Sequence, residues 1–246
     1  MRNLLFKLQY IGTNYHGWQV QKNALAVQEV IQDAVEKITG VRDDVTGCSR
    51  LDTGVHANAY YFTVKTNSQI PEKKFINAFN TILSKNMVIL DCKEVDESFH
   101  PRYNTISKTY LYKIWNNPHR NPFFENLAWY YPYPINADKI NSEARSFLGT
   151  HDFSSFCSKN AKTQESHVRT IYDIKAEKDG DMLMIKIKGD GFLYNMVRIM
   201  VGTLVHMKRG NVTADEILDI LIKKDRTFAG KTAPAHGLYL EEVEYR

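Results

Sequence analysis

Apolar and polar positions alternate from the first residues onward. Leu4, Phe6, Leu8 and Tyr10 share one parity, which predicts a strand. Val27, Val30, Ile31, Ala34, Val35 and Ile38 follow helical spacing and stop at Gly40, a natural helix terminator. Tyr60, Phe62 and Val64 predict a strand over 58–65. Phe75, Ile76, Phe79, Ile82 and Leu83 predict a second helix, and 87–95 a third strand. The rest of the chain mixes the same two periods. Tyr110, Tyr112 and Ile114 mark a strand over 108–115, and a helix is expected over 137–148, ending at Gly149. Residues 168–176 and 182–188 read as a hairpin around Asp179-Gly180. Two helices follow: 192–207, then one opened by the capping box Thr213-x-x-Glu216. A strand over 238–245 closes the chain.

Strands and helices mix without a regular βαβ repeat, so the expected class is α+β. Two mixed α/β subdomains with mainly antiparallel sheets are expected, joined around a central cleft. The boundary falls near 99–104, giving residues 1–103 and 104–246.

Composition narrows the function only a little. The 32 Lys and Arg against 28 acids leave a net charge of +4, which permits an anionic partner without demanding one. Fourteen Tyr and twelve Phe suit either ordinary sheets or base stacking on RNA. Cys48, Cys92 and Cys157 are too scattered for a zinc knuckle or a disulfide framework. The eight histidines show no ligand spacing, so no metal site is expected. Gly230-Lys231-Thr232 imitates the end of a phosphate loop, but Asp225 stands where the first glycine belongs. No nucleotide cofactor is therefore expected. Residues 1–10 lack a signal-peptide core, and the apolar stretch 191–207 is short and carries Arg198. A cytoplasmic protein without a membrane span is the expectation.

Two features carry candidate chemistry. In Gly47-Cys48-Ser49-Arg50-Leu51-Asp52-Thr53-Gly54-Val55-His56 a lone carboxylate sits in a turn just ahead of a strand. Asp before a turn glycine is common for backbone reasons alone, but Arg50 and His56 add donors to the same short loop. The second feature is Arg198, the single full charge on the apolar 192–207 helix. It either meets an anion, for which Asp52 is a sensible partner, or snorkels to water. An Asp fixed by Arg stays ionised, as a carboxylate nucleophile must.

The chain resembles the TruA family of tRNA pseudouridine synthases from its first strand to its last. The Asp52 loop is similar to the family's Gly-Ala-Gly-Arg-Thr-Asp-Ala-Gly-Val-His-Ala signature, with Cys48, Ser49, Leu51 and Thr53 as departures. Tyr10-Ile11-Gly12-Thr13-Asn14-Tyr15-His16-Gly17-Trp18-Gln19 resembles its opening block, with Ile11 replacing the usual acid. Phe99-His100-Pro101-Arg102-Tyr103, Lys108-x-Tyr110-x-Tyr112, Phe192 to Arg198 and Thr232 to Leu240 complete the set in order.

The resemblance implies conversion of uridine in RNA to pseudouridine, without metal or organic cofactor. It implies Asp52 as the catalytic carboxylate and Tyr110 as the ring that stacks on the uracil. Arg198 would hold Asp52, and Leu238 would close the pocket. Arg50 and His56 would either position the loop or touch the flipped nucleotide. The implied substrate is the anticodon stem-loop of tRNA at uridines 38, 39 and 40, and the implied assembly a homodimer. Arg42, Lys73, Lys74, Lys108, Lys208 and Arg209 are candidates for phosphate contacts. Two other classes remain open: a non-catalytic RNA-binding module, and a nucleoside hydrolase that would release free uracil.

Overall fold

The structure is a computed structural model that describes residues 1–158 and 166–246. In chain order the elements begin β1 (Arg2–Tyr10), α1 (Val27–Thr39), β2 (Val45–Gly47), β3 (His56–Thr66), α2 (Glu72–Ile82) and β4 (Met87–Val95). They continue with β5 (Thr105–Trp115), β6 (Trp129–Tyr130), α3 (Ala137–Ala144), β7 (Gly149–Asp152), β8 (Val168–Asp179) and β9 (Met182–Gly189). The last are α4 (Met196–His206), α5 (Ala214–Lys223) and β10 (Leu238–Tyr245). Two compact units emerge. Unit 1 holds Met1–Ile106 with Tyr239–Arg246, and unit 2 holds Ser107–Leu238. Each is mixed α and β, with mostly antiparallel pairing. The periodicity put the whole of 104–246 in one body. Pairing with β3 instead brings the last strand back to unit 1, an association that no local pattern encodes.

In unit 1, β1 runs antiparallel between β3 and β4, and β2 joins β3. Leu4, Phe6 and Leu8 on β1 are fully buried, as the alternation requires. Leu5 is buried on the opposite face and departs from it. Phe6 stacks on Phe62 of β3 at 5.1 Å and meets Phe75 and Phe79 of α2 edge-on at 5.5 and 5.2 Å. Each such ring contributes about 1.5–3 kcal/mol by burial. This aromatic cluster ties α2 to the sheet. α1 ends where Gly40 takes the left-handed conformation, φ +77°. β10 lies parallel to the start of β3, pairing Tyr239 with His56 and Leu240 with Ala57.

In unit 2, β9 pairs antiparallel with both β5 and β8, β7 lies on the far side of β8, and short β6 runs parallel to β5. Helix α4 is buried on all sides, as its near-continuous apolar sequence predicts. It starts four residues later than the expected 192. Asn195 adopts φ +61° and stops the helix from extending backward. α3 also ends early, at Ala144, and a single 3₁₀ turn carries the chain to Phe147. The capping box of α5 forms as expected, with Thr213 accepting from the Glu216 amide and Glu216 from the Thr213 amide.

Gly202 lies where the 231–233 segment crosses α4. A Cβ there would sit 1.8 Å from the Lys231 carbonyl oxygen. Gly230, which the sequence places in a false phosphate loop, donates to the Thr203 hydroxyl at 2.9 Å. Its role is helix packing.

Candidate active site

The Asp52 loop joins β2 to β3 within unit 1 and is clasped by the segment that follows β1. The Gly12 amide donates to Nδ1 of His56 at 2.9 Å. The Trp18 amide donates to the Leu51 carbonyl at 3.1 Å, and the Gly54 amide to the Tyr15 carbonyl at 3.3 Å. Close approach explains the glycines. A Cβ on Gly12 would fall 1.9 Å from the Val55 carbonyl oxygen, and one on Gly17 2.5 Å from that of Leu51. Gly17 and Gly54 also adopt φ of +82° and +77°, which side chains disfavour. Within the loop, the Val55 amide closes a turn on the Asp52 carbonyl at 3.2 Å. Asp52 thus sits, half-buried, on a backbone fixed at both shoulders. Such pre-organisation is what a reactive side chain needs.

Sequence reasoning missed this clasp, because the loop's partners Gly12, Tyr15 and Trp18 are remote from it in sequence. The signal was present as paired glycines among the aromatic residues Tyr15 and Trp18. Trp18 stacks on Tyr60 of β3 at 4.1 Å, anchoring the clasp to the sheet.

The neighbours of Asp52 differ in role. His56 is fully buried, and its ring stacks on Tyr239 at 4.6 Å. Because Nδ1 accepts from Gly12, the ring is in the tautomer with its proton on Nε2. Of its two expected roles, this geometry fits the positioning of the loop. Arg50 is exposed and faces a cleft described below.

Tyr110, Arg198 and Leu238 belong to unit 2. Tyr110 stands on β5 opposite Ile187 of β9, nearly buried, with Phe192 edge-on at 5.0 Å. Arg198 occupies the first turn of α4. Its Nε donates to the Ala233 carbonyl at 2.8 Å and its Nη1 to Asn195 Oδ1 at 2.6 Å. The Ala233 amide returns a bond to the Arg198 carbonyl at 3.0 Å. The guanidinium is therefore aimed rather than mobile, and it does not simply snorkel to water. Tyr112, two residues beyond Tyr110, is a structural tyrosine. Its hydroxyl donates to the Pro234 carbonyl at 2.6 Å, and burial drives its pKa well up. Leu238 is buried at the start of β10, after the 3₁₀ turn Ala235–Gly237.

Among the expected phosphate-binding cations, Arg42 and Lys208 have acidic partners. Arg42 bridges Asp33 and Glu36, and Lys208 pairs with Glu216. No helix among the described residues is long and apolar enough to cross a membrane.

Within unit 1 the Asp52 backbone is braced, and within unit 2 the Arg198 guanidinium is directed by Ala233 and Asn195. Comparison with known proteins identifies the family. The family model described as tRNA pseudouridine synthase matches residues 8–104 and 144–246. The chain belongs to that family and is an isomerase. Its relatives include tRNA pseudouridine synthase A of Thermoanaerobacter sp. (strain X514), 47% identical over 246 residues and covering both chains in full. That of Clostridium acetobutylicum is 44% identical over 245 residues, again at full coverage of both. Among solved structures, a Cbf5–Nop10–Gar1 complex aligns with 97% of this chain and 49% of that chain, at 11% identity and a TM-score of 0.41. The chain thus spans about half the length of that solved protein.

Proposed function

We propose that this enzyme converts uridine to pseudouridine in the anticodon stem-loop of tRNA, at positions 38, 39 and 40, with the Asp52 carboxylate as nucleophile. The observation that carries the reading is the double clasp on the Asp52 loop, in a chain whose relatives are named tRNA pseudouridine synthase A.

The reaction breaks the N1–C1′ bond of uridine, turns the uracil, forms a C5–C1′ bond and releases the C5 proton. Positive charge builds at C1′ as the first bond breaks, so an ionised carboxylate there lowers the barrier by attack. Displacement of the carboxylate by C5 then returns Asp52 to its starting form. Arg198 is the counter-ion that keeps Asp52 charged, which its two bonds to Ala233 and Asn195 support by holding the guanidinium in one orientation. Tyr110 stacks on the loosened uracil, and its hydroxyl is within the chemistry of proton transfer at C5. Leu238 closes the opposite face. Arg50 holds the flipped nucleotide, while His56 keeps the loop in register. Extruding the uridine costs a few kcal/mol, recovered from phosphate contacts elsewhere. We further propose a cytoplasmic homodimer, in which one subunit holds the tRNA body while the other offers its pocket.

The direct test replaces Asp52 with Asn and follows tritium release from C5-labelled uridine in tRNA. The rate should fall by at least about a thousandfold while tRNA binding persists. An Asp52→Asn variant as active as the parent would refute the nucleophile. Binding by the parent without tritium release would leave only an RNA-binding module, and free uracil would mean a hydrolase.

A further inference from the structure

A recess lies wholly within unit 1, beside the Asp52 loop. It has a volume of about 220 Å³, and its walls include Trp18, Gln19, Arg50, His100, Arg102 and Tyr103. No carboxylate lines it. Arg50 and Arg102 are both exposed, and among the described residues neither has an acidic side chain within ion-pair reach. Arg42, on the same unit, is held by two acids. Two uncompensated guanidinium groups around one recess favour an anion, above all a phosphate.

The far wall is aromatic and rigid. Tyr103 is 76% exposed, an unusual position for so large a ring. It is nevertheless fixed. His100 packs against it at 4.3 Å, and the Arg102 guanidinium lies 5.8 Å from its centre. The turn beneath it is locked. The amides of Tyr103 and Asn104 both donate to the His100 carbonyl, the Arg102 amide donates to His100 Nδ1, and the His100 amide donates to Asn104 Oδ1. A rigid exposed ring beside cations is the arrangement on which proteins stack unpaired bases. The volume lies below the roughly 300–1,000 Å³ of drug-sized sites, which suits a single nucleotide unit.

We propose that this recess seats the RNA nucleotide adjacent to the target uridine, its phosphate between Arg50 and Arg102 and its base on Tyr103. Only one residue separates Arg50 from Asp52, so a strand whose uridine reaches Asp52 has its neighbouring phosphate within reach of Arg50. The inference rests on the RNA-isomerase reading above and adds a subsite to it. It also gives the extruded conformation a second anchor, since a base stacked on Tyr103 no longer stacks on the uridine it has left.

The test uses the full chain and a tRNA transcript, with binding measured across salt concentrations and tritium release at saturating tRNA. Arg102→Ala should weaken binding about fivefold or more and flatten the dependence of log Kd on log salt by nearly one unit. Tyr103→Ala should weaken binding about tenfold, whereas Tyr103→Phe, which keeps the ring, should bind as the parent does. In all three, melting temperatures should match the parent's because both side chains are exposed. Parental affinity and salt slope in both alanine variants would overturn the proposal even in an active enzyme. An inactive parent would instead sink the isomerase reading, while the binding data would still decide whether RNA occupies the recess.

Discussion

Arg198 shows how much one side chain can be asked to do. Its Nε donates to the Ala233 carbonyl and its Nη1 to Asn195 Oδ1, two bonds that set the direction of the planar guanidinium. Lysine keeps the charge but cannot reproduce two directed bonds from one planar group. Arg198→Lys should therefore lower kcat by roughly tenfold to a hundredfold, with a smaller effect on KM. If the guanidinium keeps Asp52 ionised, the acid limb of the pH profile of kcat/KM should also move to higher pH, because a less well-fixed cation stabilises the carboxylate less. An unchanged acid limb would separate Arg198 from Asp52. At this scale the sequence was legible where chemistry and local motif coincide: Asp52 stands out because a turn, a cation and a strand meet within ten residues. The partners of His56 were not legible. Its ring is fixed by Gly12 and Tyr239, both remote in sequence, and nothing near position 56 announces either partner.

Elements were read well where periodicity alone decides them. The expected spans of β4 and β10 are the observed ones, and the capping box forms where its residues predict. Errors fell at helix starts and ends, where one backbone conformation outweighs a hydrophobic run, and at β2, β6 and β7, strands too short to show a period. Asn195 in the left-handed region delays α4, although the apolar sequence begins at Phe192. α4 also bears the tightest crossing in unit 2. Gly202→Ala would force the Lys231 carbonyl away from a Cβ placed 1.8 Å from it, and that carbonyl belongs to the segment that bonds Arg198. The substitution should destabilise the protein by about 3 kcal/mol or more, visible as a lower denaturation midpoint. It should also reduce activity in the fraction that stays folded. A midpoint equal to the parent's would mean that the crossing relaxes at no cost.

For the molecule as a whole, each unit carries a histidine held below its ordinary pKa. Burial is the main cause for His100, reinforced by Arg102 and Lys65. Burial is also the main cause for His236, partly opposed by Glu125. A group whose folded-state pKa is depressed binds fewer protons folded than unfolded. Its contribution is intact above the unfolded value, about 6.5, and is lost as pH falls through that value towards the folded one. Thermal stability should therefore decline from pH 7 to pH 5. His100→Gln combined with His236→Gln should flatten that decline, and a slope equal to the parent's would show that other groups govern it. The division into units was only partly legible, since a break near residue 103 can be guessed from local signals while the return of the last strand cannot.

That return has a consequence for how the protein is made. Tyr239 and Leu240 supply the hydrogen-bonding partner of His56 and Ala57, and Tyr239 also covers the His56 imidazole. A ribosome releases the chain from its amino end, so Asp52 emerges long before the strand that completes the flank of its loop. Until translation has passed residue 240, the strand that follows the Asp52 loop lacks its parallel partner, and the His56 imidazole lacks its cover.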